Sequence, residues 1–347
     1  MCGRSCRSSG EALAVAVVGC GGWGTALAML LARNGHRTVL WGVEPEYMLA
    51  MSGSRLNPRY LPGVRIPESV VLTAELGQCV PDSDMVVLAT PTPYLRSVCG
   101  RVAGLLGRGQ LVVNVAKGIE EGSLLLGSQV VEAACGSGLC LAGLYGPSHA
   151  EEVAQGLPTT VVATSTDPAV ARRVQAAFMN PSFRVYTNTD VLGVELGAAL
   201  KNVIAVAAGI CDGLGFGDNA KSALLTRGLA EITRLGVAMG ARPETFAGLT
   251  GLGDLITTSV SPYGRNRCVG VRLAQGEHLE QIADSMDQVA EGVRTAVAAR
   301  ALAERYGVEM PITRAVHAVL FEGLEPLAAG TALMRRSPRP ETDSDRA

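Results

Sequence analysis

The stretch Val15–Leu30, VAVVGCGGWGTALAML, decides the fold because it admits two incompatible readings. It is either the strand, turn and helix of a dinucleotide site or the apolar end of an export signal cut before Cys20. For export, Arg4 and Arg7 precede an apolar run ending Val17-Val18-Gly19-Cys20, the form of a bacterial lipoprotein cleavage site. Against it, the apolar core from Ala12 to Val18 is at the short limit for a signal, and Glu11 adjoins it. The uncharged run from Ala12 to Ala32 has the length to cross a bilayer, but Gly19, Gly21, Gly22 and Gly24 interrupt it. The dinucleotide reading uses every residue. Ala14 to Val18 is a strand-like run, Gly19-x-Gly21-x-x-Gly24 follows at once, and Thr25 to Asn34 has helical spacing of Ala and Leu. Gly19 then permits the tight turn, Gly21 lets backbone approach a pyrophosphate, and Gly24 lets helix pack on strand, while free N–H groups at the helix start meet the phosphate charge. A glycine pattern alone is weak; with His36 to Trp41 as the next strand it reads as a dinucleotide site.

Composition narrows the partners. The chain has 347 residues, is 48% hydrophobic, and carries 30 Lys and Arg against 32 Asp and Glu, for a net charge of −2. That length and apolar content suit two globular domains, and the balanced charge argues against a nucleic-acid or anionic-membrane surface. Nine cysteines without a Cys-x-x-Cys pair suit reduced thiols and a cytoplasmic location. Four separated histidines with no His-Glu-x-x-His give no metal site.

Strand-like runs recur between helical segments at Val70 to Leu72, Met85 to Ala89, Leu111 to Val115, Leu139 to Leu144, Thr160 to Ala163 and Phe183 to Tyr186. Tyr94 to Leu106 and Pro168 to Phe178 read as crossover helices, so the fold class is α/β, a doubly wound parallel sheet of Rossmann type. Ligands of such sheets lie at the carboxyl ends of the strands, which gathers Gly19 to Gly24, Thr90-Pro-Thr-Pro93, Lys117-Gly118 and Gly146-Pro-Ser148. Beyond Asp190 the pattern is helical: Val191 to Ile210, Asn219 to Met239, Arg265 to Gln275, Glu291 to Tyr306 and Pro311 to Phe321. The expected organisation is a nucleotide-binding domain over 12–189, an all-helical substrate domain over 190–336 with a cleft between them, and a loose tail over 337–347.

Two stretches carry candidate chemistry. In VELGAALKNVIAVAAGI, Lys201 is the only cation in a strongly apolar helix. A lone lysine of this kind more often lays its stem on apolar surface and keeps its ammonium in water. Here Asn202 is adjacent, Glu195 is six residues back, and Asp212 and Asp218 follow. Desolvated among them, Lys201 would have a lowered pKa and pass a proton near neutral pH. In GLTGLGDLITTSVSPYGRNR, Asp254, Thr258, Arg265, Asn266 and Arg267 form either a capped turn with a solvated Arg267 or a phosphate pocket at a helix start. Lys117, after the strand LVVNVA, is either a substrate-facing charge or an ordinary loop lysine.

Together these stretches resemble the soluble NAD(P)-dependent glycerol-3-phosphate dehydrogenase family, from Val15 to about Glu322. The landmarks are GCGGWGTALA, NPRYLPG, AKGIE, GPSHAEEVAQGLPT, FRVY, GAALKNVIAVAAGICDGLGFGDNAKSALLTRGLAE, GLGDLITT, GRNR, QVAEGVRT and GVEMPIT. The resemblance implies reversible reduction of dihydroxyacetone phosphate to sn-glycerol 3-phosphate for phospholipid synthesis. It implies Lys201 as proton donor and acceptor, with Lys117 and Asp254 beside it, and Gly146, Ser148, Asn202, Thr258, Gly264, Arg265 and Asn266 as further substrate contacts. Cofactor contacts implied with the glycine turn are Gly22, Trp23, Val43, Lys117, Ala150, Arg265, Val289 and Glu291. NAD or NADP is the expected cofactor.

Some residues depart from the family pattern. Val43 stands where many members have Arg or His, and Glu44 follows; a carboxylate there favours the ribose hydroxyl of NAD, while Arg37 and Arg55 remain as charges for NADP. Gly264 replaces a common serine, and the Thr90–Pro93 stretch is assigned only a lining role. A homodimer is expected on general grounds. The competing readings are another two-domain dehydrogenase of the 6-phosphogluconate or 3-hydroxyacid type, which lacks the Gly-Leu-Gly-Asp and Gly-Arg-Asn-Arg pair, and a nucleotide-sensing protein without turnover.

Overall fold

The computed structural model describes residues 11–286, 289–338 and 340–341. Arg4 and Arg7 of the export reading, and residues 339 and 342–347 of the expected tail, lie outside the described residues. The described residues form ten strands: β1 (Ala14–Val18), β2 (Arg37–Trp41), β3 (Leu56–Asn57), β4 (Leu61–Arg65), β5 (Val70–Thr73), β6 (Met85–Leu88), β7 (Leu111–Asn114), β8 (Cys140–Tyr145), β9 (Thr159–Thr164) and β10 (Phe183–Asn188). Eight form one sheet in the order β10-β9-β8-β7-β6-β1-β2-β5, and β3 and β4 form a separate antiparallel ribbon.

Because β1 lies between β2 and β6, the strand order reverses there, and a crevice opens beyond its carboxyl end. Val15 to Val18 are buried on both faces, as an apolar run under two helical layers must be. One face packs against Leu27, Leu30 and Leu31 of the helix Gly22–Arg33; the other packs against Leu95, Val98 and Val130.

One feature corrects the all-parallel expectation. β8 and β9 pair antiparallel, Gly143 opposite Thr164, so β9 and β10 run against the rest. After β8 the chain spends its residues on the turn at Gly146 and a short helix, Ala150–Gln155, whose Val153 and Ala154 join the core of the first helix. It thus enters β9 from the end at which it left β8, with no crossover to restore direction.

No strand follows β10 among the described residues. Asp190 caps the helix Val191–Gly213, accepting from Gly193 N at 3.0 Å. This helix has the hydropathy of a membrane span, but 89% of its apolar window is buried in the protein, so it is a core element. It crosses the helix Arg265–Ala274 at backbone contact: a Cβ at Gly209 would stand 2.0 Å from Arg267 O, and one at Gly270 2.1 Å from Val206 O. That crossing sets Asn266 beside Asn202. Cys20, Cys79, Cys99, Cys135, Cys211 and Cys268 carry free thiols as expected, whereas Cys140 is disulfide-bonded.

Candidate active site

The crevice beyond β1 has two walls. On the sheet side, Gly19 takes a φ of +124°, and a Cβ there would lie 2.6 Å from Ala89 O; one at Gly24 would lie 1.9 Å from Gly19 O. Gly21 meets nothing within 4 Å and leaves the helix start open. A Cβ at Gly22 would approach that of Ala150 to 3.6 Å, so Ala150 borders the same turn. Trp23 Nε1 is buried without a hydrogen-bond partner. Close glycines behind, open backbone in front and an uncapped helix start fit a dinucleotide phosphate.

The facing wall is a charged cluster assembled from four segments. Asp254 opens the helix Asp254–Val260 and is buried. Its Oδ1 accepts from Lys201 Nζ at 2.9 Å and its Oδ2 from Lys117 Nζ at 2.9 Å. Thr258, one turn along, donates to Asp254 Oδ1 at 3.1 Å and accepts from Lys201. Lys117 also donates to Gly146 O at 2.7 Å and approaches Ser148 Oγ at 3.5 Å. Burial lowers the Lys201 ammonium to about 8; Asp254 resists that shift and the nearby Lys117 adds to it. The Asp254 carboxyl is held below its usual range, because Lys117 and Lys201 together outweigh its burial.

A relay of amides ties the walls together. Asn202 donates to Lys117 O at 2.8 Å, Asn266 donates to Asn202 Oδ1 at 2.9 Å, and Gly292 N donates to Asn266 Oδ1 at 2.9 Å. Arg265 Nη1 reaches Val289 O at 3.1 Å on the exposed rim. Glu291 Oε1 accepts from Thr92 N and Thr92 Oγ1, both at 2.9 Å, so the Thr90–Pro93 segment is the sheet-side anchor of the helix Glu291–Tyr306. At Gly264 a Cβ would stand 2.6 Å from Thr258 O, which accounts for the missing side chain there.

The partners expected for Lys201 along its own helix do not meet it. Glu195 accepts from Ser128 N at 2.9 Å, Ser128 Oγ at 2.7 Å and Tyr145 OH at 2.9 Å. Asp212 is held by Lys221 and Arg267, so Arg267 is not simply solvated. Nor do the proposed NADP charges hold. Arg55 is buried, donating to Ile66 O, Pro67 O and Val70 O, and Arg37 starts β2 at the end remote from the crevice.

His149 is a further residue of this site, close enough to feel the charges of Lys201 and Lys117. Burial, then the charges of Lys201 and Lys117, lower its imidazole to about 4, so it is neutral. Its Nε2 is buried without a partner, and its ring lies 5.8 Å from that of Tyr263. Position beside Ser148 is the one sequence signal that pointed to it.

A glycine-turn sheet with a buried lysine–carboxylate pair facing it defines the class: a nicotinamide-nucleotide-dependent dehydrogenase. Two family models match, "NAD-dependent glycerol-3-phosphate dehydrogenase N-terminus" over residues 14–171 and "NAD-dependent glycerol-3-phosphate dehydrogenase C-terminus" over residues 190–331. The chain belongs to the NAD-dependent glycerol-3-phosphate dehydrogenase family. It is 51% identical over 331 residues to glycerol-3-phosphate dehydrogenase [NAD(P)+] of Geobacillus kaustophilus, covering 95% of this chain and 96% of the relative. It is 50% identical to the enzyme of the same name from Geobacter sulfurreducens, over 94% of this chain and 98% of the relative. The crystal structure of glycerol-3-phosphate dehydrogenase from Coxiella burnetii superposes with a TM-score of 0.90 at 36% identity, covering 94% of this chain and 99% of that one.

Proposed function

We propose that this chain reversibly reduces dihydroxyacetone phosphate to sn-glycerol 3-phosphate with NAD(P)H, feeding phospholipid synthesis. The observation that carries the reading is the single Asp254 carboxylate bridging Lys201 and Lys117 at the crevice of a dinucleotide fold. When bound, the nicotinamide cofactor supplies or accepts the hydride at the substrate carbon. Lys201 donates a proton from Nζ to the ketone oxygen as negative charge develops, and takes it back in the reverse direction. Lys117 and Thr258 orient the reacting end, and Asp254 keeps both ammonium groups aimed inward. Two cations on one carboxylate leave a net positive site for a phosphorylated substrate. Arg265 and Asn266, with Gly146, Ser148, Asn202 and the Gly264 turn, bind the substrate and its phosphate, so that the non-reacting end fixes the attack geometry. Gly19 to Gly24 with Trp23, Val43, Lys117, Ala150, Arg265, Val289 and Glu291 hold the cofactor. In this reading residues 12–189 are the cofactor domain and 190–336 the substrate domain of a cytoplasmic homodimer.

The test is NADH and NADPH oxidation with dihydroxyacetone phosphate in wild type, Lys201→Ala and Arg265→Ala. Lys201→Ala is expected to lower kcat by about 10²–10⁴, the range for losing a general acid. Arg265→Ala is expected mainly to raise KM for the phosphorylated ketone. Equal losses of cofactor affinity in both variants would contradict the assignment.

A further inference from the structure

The turn 146–149 is a fixed point of the sheet side. Gly146 O accepts from Lys117 Nζ at 2.7 Å and from Ser148 Oγ at 3.0 Å, and His149 O accepts from Val153 N at 3.1 Å as the helix Ala150–Gln155 begins. From this platform the His149 ring reaches across to the helical side. It meets the Thr257 backbone and lies 5.8 Å from the Tyr263 ring, tilted by 55°. Thr257 and Tyr263 bracket one turn. Ser261 N donates to Thr257 O at 3.0 Å, Tyr263 N to Ser261 Oγ at 3.2 Å and Gly264 N to Ser261 O at 3.1 Å, and the helix Arg265–Ala274 starts at the next residue. These three bonds join residues 257–264 to one another, so they give the turn its shape without fixing it against the sheet. Tyr263 is 47% exposed, and its ring has His149 beside it.

We propose that His149 is a positioning residue for the substrate phosphate: its ring braces the turn 261–264 from the sheet side, and so sets where the following helix start presents Arg265 and Asn266. The inference rests on the phosphate of the proposed substrate lying at those two residues. An uncharged imidazole braces by packing, and it leaves the positive charge of the site to Lys201, Lys117 and Arg265. Its Nε2 is buried with no hydrogen-bond partner, so that nitrogen adds nothing to the brace that a phenyl ring would lack. What the turn requires is a flat ring of this size. An alanine at 149 leaves Tyr263 without its neighbour, and the guanidinium two residues beyond Tyr263 loses its fixed place relative to Ser148 and Lys117.

The experiment is steady-state NAD(P)H oxidation with dihydroxyacetone phosphate in wild type, His149→Ala, His149→Phe, Tyr263→Ala and the His149→Ala/Tyr263→Ala double variant. His149→Ala is expected to raise KM for dihydroxyacetone phosphate about three- to tenfold, the scale of one pair of packed rings, with kcat and KM for the cofactor within about twofold of wild type. His149→Phe is expected to restore the wild-type KM. Tyr263→Ala should match His149→Ala, and the double variant should go no further than the larger single loss, because both remove one contact. Additive losses in the double variant, a His149→Phe variant as impaired as His149→Ala, or a loss confined to kcat would overturn the brace. Wild type without turnover on dihydroxyacetone phosphate, or Arg265→Ala with an unchanged KM, would instead overturn the function and the phosphate placement on which the brace rests.

Discussion

Asp254 and Glu195 are both enclosed carboxylates, 1% and 4% exposed, yet the protein drives them in opposite directions. Burial acts to raise both. Around Glu195 it wins, because Ser128, Tyr145 and Asn114 offer hydrogen bonds but no charge. Around Asp254 it loses, because two ammonium groups face the carboxylate. The neutral donors around Glu195 favour its ionised form but do not offset its burial, whereas the two ammonium groups at Asp254 do. The Asp254 region is thus a charge device, and the Glu195 region is a clasp joining β8 and the helix Gly127–Cys135 to the helix Val191–Gly213.

The contrast breaks most readily at Asp254. Asp254→Asn leaves two ammonium groups facing each other without a counter-charge, and we expect kcat to fall by about 10³ or more. A loss below tenfold in steady-state assays would remove Asp254 from the charge device. A pH series sharpens the same point. Lys201 titrates at about 8, so kcat/KM for ketone reduction, which needs the ammonium, should be full below that pH and fall about tenfold per unit above it. Alcohol oxidation needs the amine and should instead rise through the same region. In Asp254→Asn the residual profile should move to lower pH, because the raising charge is gone; an unmoved profile would assign the titration elsewhere. The smallest effect on turnover is expected at Glu195→Gln. That variant should keep kcat within about threefold while losing about 1–3 kcal/mol in urea unfolding, the cost of disturbed buried hydrogen bonds. A turnover loss matching that of Asp254→Asn would erase the distinction.

The two walls of the crevice were not equally legible in the sequence. Gly19 to Gly24 could be read directly, because a strand, a turn and a helix start are consecutive and each glycine answers a local steric demand. The helices Glu291–Tyr306 and Pro311–Phe321 were equally plain from their apolar periodicity. The helix Asp254–Val260 was not: DLITTSV is short and β-branched, and packing rather than propensity makes it helical. The reversed direction of β9 was hidden as well, since an apolar run has the same composition in either direction. At the site, Lys201 was visible as a lone cation in an apolar helix, and its lowered pKa followed from expected burial. Its partner could not be found by nearness in the chain: Glu195 and Asp212 were closer in sequence, and both turn to other residues.

By itself, then, the sequence determined what depends on neighbours along the chain: the dinucleotide turn, the succession of strands and helices, and which ionisable side chains sit in apolar surroundings. Only the tertiary structure decided which of those charges meet, joining Asp254 to Lys201 and Lys117, and Glu195 to Ser128. The physical reason is range. Steric and periodic constraints act over a few residues, whereas the energy of a buried charge depends on whatever group folding brings within a few ångströms, from any distance along the chain.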